Sequence, residues 1–228
     1  MTVYHFLFDV NNIIEPIGFS ETFWTRGSDL IGGTFLFVAG ISLWLRRFKL
    51  KDSTAGLIHG LKIFSWGLFL TAITLIPGSP GAIYFGILHC IGLSLSVASF
   101  LVRYPKFSLF SGLSIMVLGF YFRNRISVGD FYHFKWVLWE GAPYNRPGMM
   151  LDYYPLMPWM GWVLTGVFVG SVLYAKGKSS ITRTLPFLAK PFWFKRLLQF
   201  LGRHSLLYYL VHQPILIGLI YLSKAVFY

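Results

Sequence analysis

Apolar residues recur along this chain in long, nearly unbroken runs, and short polar or Pro/Gly-rich stretches separate them. About 20 apolar residues in a helix cross a ~30 Å hydrocarbon core. The runs predict spanning helices over 28–45, 55–76, 82–102, 107–122, 156–174 and 205–222. Pro77-Gly78-Ser79-Pro80-Gly81 and Tyr104-Pro105 predict tight turns between neighbouring spans. Gly56/Gly60 and Gly166/Gly170 are small-xxx-small pairs that let helices approach closely. Residues 192–198 read as an amphipathic helix lying on the inner surface. A further tract over 1–14 would reach only ~21 Å as helix, and it lacks the basic start and cleavage site of a signal peptide. The chain is therefore expected to begin partway into a helix, either a span whose start lies upstream or a packed half-span. The expected fold class is an all-α polytopic membrane protein, a bundle of about six full transmembrane helices plus an incomplete first helix.

Composition and charge sharpen this picture. Hydrophobic residues make up 55% and charged ones 12% of the 228, with mean hydropathy +0.61, whereas soluble domains run near a quarter charged. Cations crowd into alternate loops: Arg46, Arg47, Lys49 and Lys51, then Arg103 and Lys106, then the stretch from Lys176 to Arg203. The intervening loops mix both signs. The positive-inside rule then predicts a multi-pass protein of the cell (cytoplasmic) membrane, N-terminus inside and C-terminus outside. The net charge of +12 follows from this topology and gives no support for nucleic-acid binding. The single Cys90 excludes an intrachain disulfide. Walker, HExxH and CxxC patterns are absent, and no metal is expected.

The candidate chemistry lies where lipid would reject it. An ionised Asp at mid-bilayer costs roughly 2.5–3.5 kcal/mol, so such residues face a bundle interior or a wet cavity. His5 and Asp9 occupy the first tract, Asp29 enters the second, and His59 and Lys62 interrupt the third. His89 and His212 lie within later spans, and Gln213 precedes Pro214, which frees a backbone carbonyl inside the last one. Asp9 falls one turn after His5 on the same helical face, where it would orient the imidazole and stabilise its protonated form. His suits proton transfer because its pKa lies near neutrality. Packing hydrogen bonds account for His89 and His212 equally well, and an N-cap accounts for Asp29.

Five separated motifs carry a resemblance. They are Tyr4–Asp9 (Tyr-His-Phe-Leu-Phe-Asp), Phe35–Leu43, Tyr84–Ser94, Asp152–Trp159 and Leu201–Pro214. In that order and spacing the chain resembles the prokaryotic branch of the heparan-α-glucosaminide N-acetyltransferase catalytic-domain family. It is similar, more distantly, to membrane acyltransferases that modify surface sugars. The resemblance implies that 1–228 is a single transmembrane acyltransferase domain, and the short first tract adds the expectation that it lacks the start of its first helix. Such an enzyme passes an acetyl or other acyl group from cytoplasmic acyl-CoA, its co-substrate, to a sugar or glycoconjugate acceptor outside. With it goes a cavity lined by Asp29, Asp152, Trp159, His89, His212 and Gln213, while Arg46, Arg47, Arg203 and His204 read either as contacts for the CoA phosphates or as plain positive-inside topology that also attracts anionic lipid. Two features depart from the pattern. The Arg-Gly pair that opens relatives upstream of His5 is missing, and no His precedes Trp24-Thr25-Arg26-Gly27-Ser28-Asp29, where the lysosomal enzymes carry one. The base must then come from elsewhere, and His5 is the candidate, as general base or transient acyl carrier, with Asp9 beside it. The outer loop over 123–155, with Trp136, Trp139, Tyr144 and Tyr153, reads either as a sugar-binding lip or as an interfacial loop. Expected partners are the lipid bilayer, acyl-CoA, the acceptor and, as an open alternative, a second copy in a homodimer. A small-solute or proton-coupled transporter would use the same buried His and Asp groups, although the two halves of the chain show no internal repeat.

Overall fold

The computed structural model describes residues 1–50, 53–77, 79, 81–123, 125, 129, 135–140, 150–174 and 193–227. Among these the chain forms α1 (Thr2–Ile13), α2 (Glu21–Leu50), α3 (Ser53–Thr74), α4 (Ile87–Leu101), α5 (Pro105–Phe122), the single turn α6 (Lys135–Leu138), α7 (Leu156–Leu173), α8 (Trp193–Arg203) and α9 (Ser205–Phe227). Among the described residues five helices are long and apolar enough to cross a membrane: Glu21–Arg47, Thr54–Thr74, Pro105–Phe122, Leu156–Leu173 and Ser205–Val226. The chain is an all-α polytopic membrane protein, as the run lengths predict.

The expected span over 82–102 differs. Only Ile87–Leu101, 15 residues, is helical. Residues 82–86 are non-helical instead, with Ala82 and Phe85 in isolated bridges to Met150 and Tyr153 and a bend at Tyr84. The Leu151 and Tyr154 amides donate to the Ala82 and Phe85 carbonyls at 3.1 and 3.0 Å. Apolar runs do not record such long-range pairing, so hydropathy extends the helix five residues too far. Within the Pro77–Gly81 turn, Gly78 and Pro80 fall outside the described residues, as do 175–192 with Lys176, Lys178, Arg183 and Lys190, and Tyr144 of the 123–155 loop.

The chain divides into two units, Met1–Ile31 with Thr184–Tyr228, and Gly32–Arg183. In the first, α1 lies along α9 and runs in the same direction. The Thr2 and Tyr208 hydroxyls pair at one end of the contact, and Lys224 Nζ donates to the Ile13 carbonyl at 3.0 Å at the other. Trp24 packs edge-on against Tyr4, Phe8, Phe19 and Phe23, with ring centroids 5.4–5.7 Å apart. Aromatic edges meeting ring faces in this way add stabilisation beyond area burial.

In the second unit α4 is the buried centre, with eleven of its 15 residues enclosed. Gly60 and Gly92 bring α3 and α4 to backbone contact: a Cβ at Gly92 would meet the Phe64 amide at 2.5 Å. Gly112 and Gly161 do the same for α5 and α7, and Gly40 and Gly166 for α2 and α7. Both pairs expected from the sequence, Gly56/Gly60 and Gly166/Gly170, sit in such contacts. α5 buries Ser108, Gly112 and Gly119 and leaves Phe110 71% and Val117 67% exposed, a lipid-facing side. The C-terminal ends of α2, α4 and α7 converge. Arg47 donates to the Val102 carbonyl at 3.0 Å and lies over the Trp44 ring, whose Nε1 donates to the Tyr174 carbonyl at 3.2 Å. Convergence of these three ends is what an alternating up-and-down path requires.

Candidate active site

Four of the expected site residues come together in the first unit. His5 and Asp9 share one face of α1, and His212 and Gln213 follow each other on α9. The His5 and His212 rings meet edge-on with centroids 5.1 Å apart. Asp9 is buried, and Gln213 Nε2 reaches both its oxygens at 3.0 Å. The amide nitrogen therefore faces a carboxylate, as donor chemistry requires. No hydrogen bond among the described residues joins Asp9 to His5, so Gln213 is what orients this carboxylate.

The tautomer of His212 follows from its neighbours. Nδ1 lies 2.7 Å from the Tyr209 carbonyl and 3.2 Å from that of Tyr208. Both are acceptors, so Nδ1 carries the hydrogen and Nε2 keeps its lone pair. That Nε2 is buried without a partner, and so is Gln213 Oε1. The cluster thus offers two unmet acceptors beside a buried carboxylate. This is an environment for a proton-donating group such as an amine or a hydroxyl. Spacing in a helix could have found the Nδ1 contact, because carbonyls three and four residues back face a helical side chain. The unmet lone pair is visible only in three dimensions.

His89 belongs to the second unit and has a different task. It is 1% exposed. The Gly86 amide donates to Nδ1 at 3.2 Å, which leaves the hydrogen on Nε2, 3.3 Å from Thr71 Oγ1. Thr71 passes its own proton to the Ile83 carbonyl at 2.6 Å. With both nitrogens engaged, His89 caps α4 and fastens the 82–86 segment to α3. Asp152 meets the same helix end: Oδ2 accepts from the Ile87 amide at 2.8 Å, where the helix dipole favours negative charge. A Cβ at Gly86 would stand 2.2 Å from that oxygen, so only glycine lets the carboxyl approach. Burial nevertheless pushes the Asp152 carboxyl up to about 6, against the opposing effect of the Ile87 hydrogen bond.

The remaining candidates are dispersed. Trp159 is buried beside Tyr154, ring centroids 4.9 Å apart. Asp29, half-buried, lies in the N-terminal part of α2, in the first unit. Arg46 is half-buried with an enclosed Nε, and Arg47 is committed to Val102 and Trp44. Arg203 and His204 are exposed at the α8–α9 junction, and His204 Nδ1 pairs with the Phe200 carbonyl at 2.9 Å. Of the outer loop, Trp136 is buried, and the Tyr153 hydroxyl lies 2.6 and 2.9 Å from the Trp136 and Trp139 carbonyls. No group of three His, Cys, Asp or Glu among the described residues could hold a metal ion.

Comparison with curated proteins and with solved structures gives no match. A family model described as "Heparan-alpha-glucosaminide N-acetyltransferase, catalytic" matches residues 1–214. That span contains the whole His5, Asp9, His212 and Gln213 cluster. The chain therefore belongs to the heparan-α-glucosaminide N-acetyltransferase catalytic-domain family of membrane acetyltransferases.

Proposed function

We propose that residues 1–228 act as one transmembrane domain that moves an acetyl or other acyl group from cytoplasmic acyl-CoA to an acceptor outside the cell membrane. The acceptor is a sugar or glycoconjugate bearing an amine or hydroxyl, and the topology is N-terminus inside, C-terminus outside. The observation that carries this reading is the buried cluster on α1 and α9: a lone pair on His212 Nε2, a second on Gln213 Oε1 and the Asp9 carboxylate, with the His5 ring against His212. His5 is the better-exposed imidazole and acts as general base, or as transient acyl carrier. The acceptor nitrogen or oxygen attacks the thioester carbonyl, the C–S bond breaks, and the acceptor proton passes through imidazole to the CoA thiolate. Asp9 stabilises the imidazolium formed on the way. Arg46 and Arg47, and separately Arg203 and His204, are candidate contacts for the CoA phosphates.

In proteoliposomes, acetyl-CoA with a hexosamine-bearing acceptor should release CoA thiol. His5→Ala should lower turnover by roughly 10²–10⁴, the usual contribution of a positioned base, with an unchanged melting temperature. Turnover equal to wild type in that variant would sink the assignment. The same unmet acceptors favour one rival, a proton-coupled transporter. Solute movement without thioester consumption would establish it.

A further inference from the structure

We infer that Lys62 and His59 of α3, with Arg46 of α2, hold the phosphate of an anionic membrane lipid, and that its acyl chains lie along the exposed apolar stripe of α3. All three residues belong to the second unit. Lys62 stands eight residues, roughly 12 Å, inside the span Thr54–Thr74, and it is exposed. Ile58, Trp66 and Phe69 share its helical face and are 52%, 42% and 51% exposed. A cation on such a lipid-facing stripe is costly unless it meets a counter-charge or snorkels to the headgroups. His59 lies three residues before Lys62 and neighbours it on the helix surface. Leu43 of α2 meets α3 at Gly56, where a Cβ would stand 3.2 Å from the Leu43 side chain. Arg46 and His59 each follow about one turn on from that contact. The Arg46 and Lys62 charges both act on the His59 ring, and Arg46 Nε is enclosed without a partner among the described residues.

No described acid neutralises this cluster. In the second unit the described acids are Glu140 and Asp152. Glu140 pairs with Arg123 at 2.7 Å, and Asp152 accepts from the Ile87 amide at the start of α4. Gly60, next to His59, packs instead at Ser96, nine residues and roughly 13 Å further along α4. Two cations and an imidazole N–H within electrostatic reach of one another can all donate to a single phosphate. The stripe beside them calls for hydrocarbon. A soluble phosphate brings nothing to cover Ile58, Trp66 and Phe69, and a nucleotide would have to carry its polar base into the apolar span. A lipid brings phosphate and chain together, and basic pockets between spanning helices take such headgroups. The leaflet is the one where α2 ends and α3 begins, the cytoplasmic leaflet under the proposed topology.

The test titrates full-length protein in maltoside micelles with phosphatidylglycerol, phosphatidylcholine, inorganic phosphate and acetyl-CoA, and reads bound lipid by native mass spectrometry. Phosphatidylglycerol should bind saturably and more tightly than phosphatidylcholine, which carries the same phosphate without net charge. Lys62→Leu suits the apolar stripe and should keep the melting temperature. It should weaken phosphatidylglycerol by about fivefold, the worth of one cation beside anionic lipid. Lys62→Arg keeps the charge and should bind as wild type does. Lys106→Leu, which removes a cation from the start of α5, should also leave the affinity unchanged. Wild-type affinity in Lys62→Leu would overturn the site. An equal loss in Lys106→Leu would overturn it too, since any cation would then serve. Displacement of the lipid by inorganic phosphate or acetyl-CoA would assign the cluster to a soluble phosphate and remove the lipid as its occupant.

Discussion

Asp9 and Asp152 are both carboxyls set against apolar helices, and the chain satisfies them by different means. Asp9 takes a side-chain amide from another helix, whereas Asp152 takes the first free amide of α4. Replacing Gln213 by Leu would strip Asp9 of its donor and leave a buried carboxylate unpaired. We expect a loss of about 1–3 kcal/mol, read as a lowered melting temperature, and partial recovery in the double variant Asp9→Asn/Gln213→Leu. An unchanged melting temperature in the single variant would show that Gln213 does not hold Asp9. Asp152 predicts a pH effect. Its folded carboxyl titrates near 6, above the ordinary value of about 3.9, so the folded state favours the protonated form. Its stabilisation is full below about pH 4 and is lost as pH rises through 6, by about 3 kcal/mol at most. Melting curves of wild type and Asp152→Asn should diverge over that window, with the variant gaining relative stability as pH rises. Parallel curves would contradict it. The sequence names Asp9, His212 and Gln213 through their cost in lipid, but it cannot say which atoms they satisfy. His89 looks as catalytic as His212 on that criterion, and only the Gly86 and Thr71 contacts separate them.

Helix contacts in this molecule are set by glycine, and in the α3–α4 contact the obstacle is backbone on both sides. A methyl group at Gly92 would meet backbone, the Phe64 amide at 2.5 Å and the Gly60 carbonyl at 2.8 Å, so no side-chain rotation can relieve it. Gly92→Ala should therefore cost roughly 1–3 kcal/mol, the range for overpacking, and lower the melting temperature in detergent. Gly218→Ala on α9 has open space around it and, with Ala the better helix former, should be neutral or slightly stabilising. Equal melting temperatures for the two variants would remove close packing as the explanation. Elements were the most legible level of the sequence. The expected spans over 55–76, 107–122 and 156–174 agree with α3, α5 and α7 to within two residues at each end. The apolar run begins seven residues after α2 does, because Glu21, Thr22, Thr25 and Arg26 break the run without breaking the helix. The non-helical segment before α4 was illegible because its partners lie more than 60 residues away.

At the scale of the whole molecule, sidedness is the property that acyl transfer across a membrane depends on. The charge pattern puts the loops after α2, after α4 and after α7 on one side, and the convergence of α2, α4 and α7 ends agrees with that grouping. An odd number of crossings separates the first and last helices of such a path, which makes them parallel. The parallel course of α1 and α9, marked by Thr2 with Tyr208 and Ile13 with Lys224, supports the same count. Charge then selects the side. A tag placed after Tyr228 should be cleaved by protease added to intact spheroplasts, while a tag introduced between Arg103 and Lys106 should be cleaved only after lysis. Acetyl-CoA should correspondingly be consumed by inverted vesicles and spared by sealed right-side-out ones. Should the C-terminal tag be protected and the 103–106 tag exposed, the orientation is reversed. The donor would then have to arrive from outside, where acyl-CoA is not supplied, and the transporter reading would take precedence over acyl transfer.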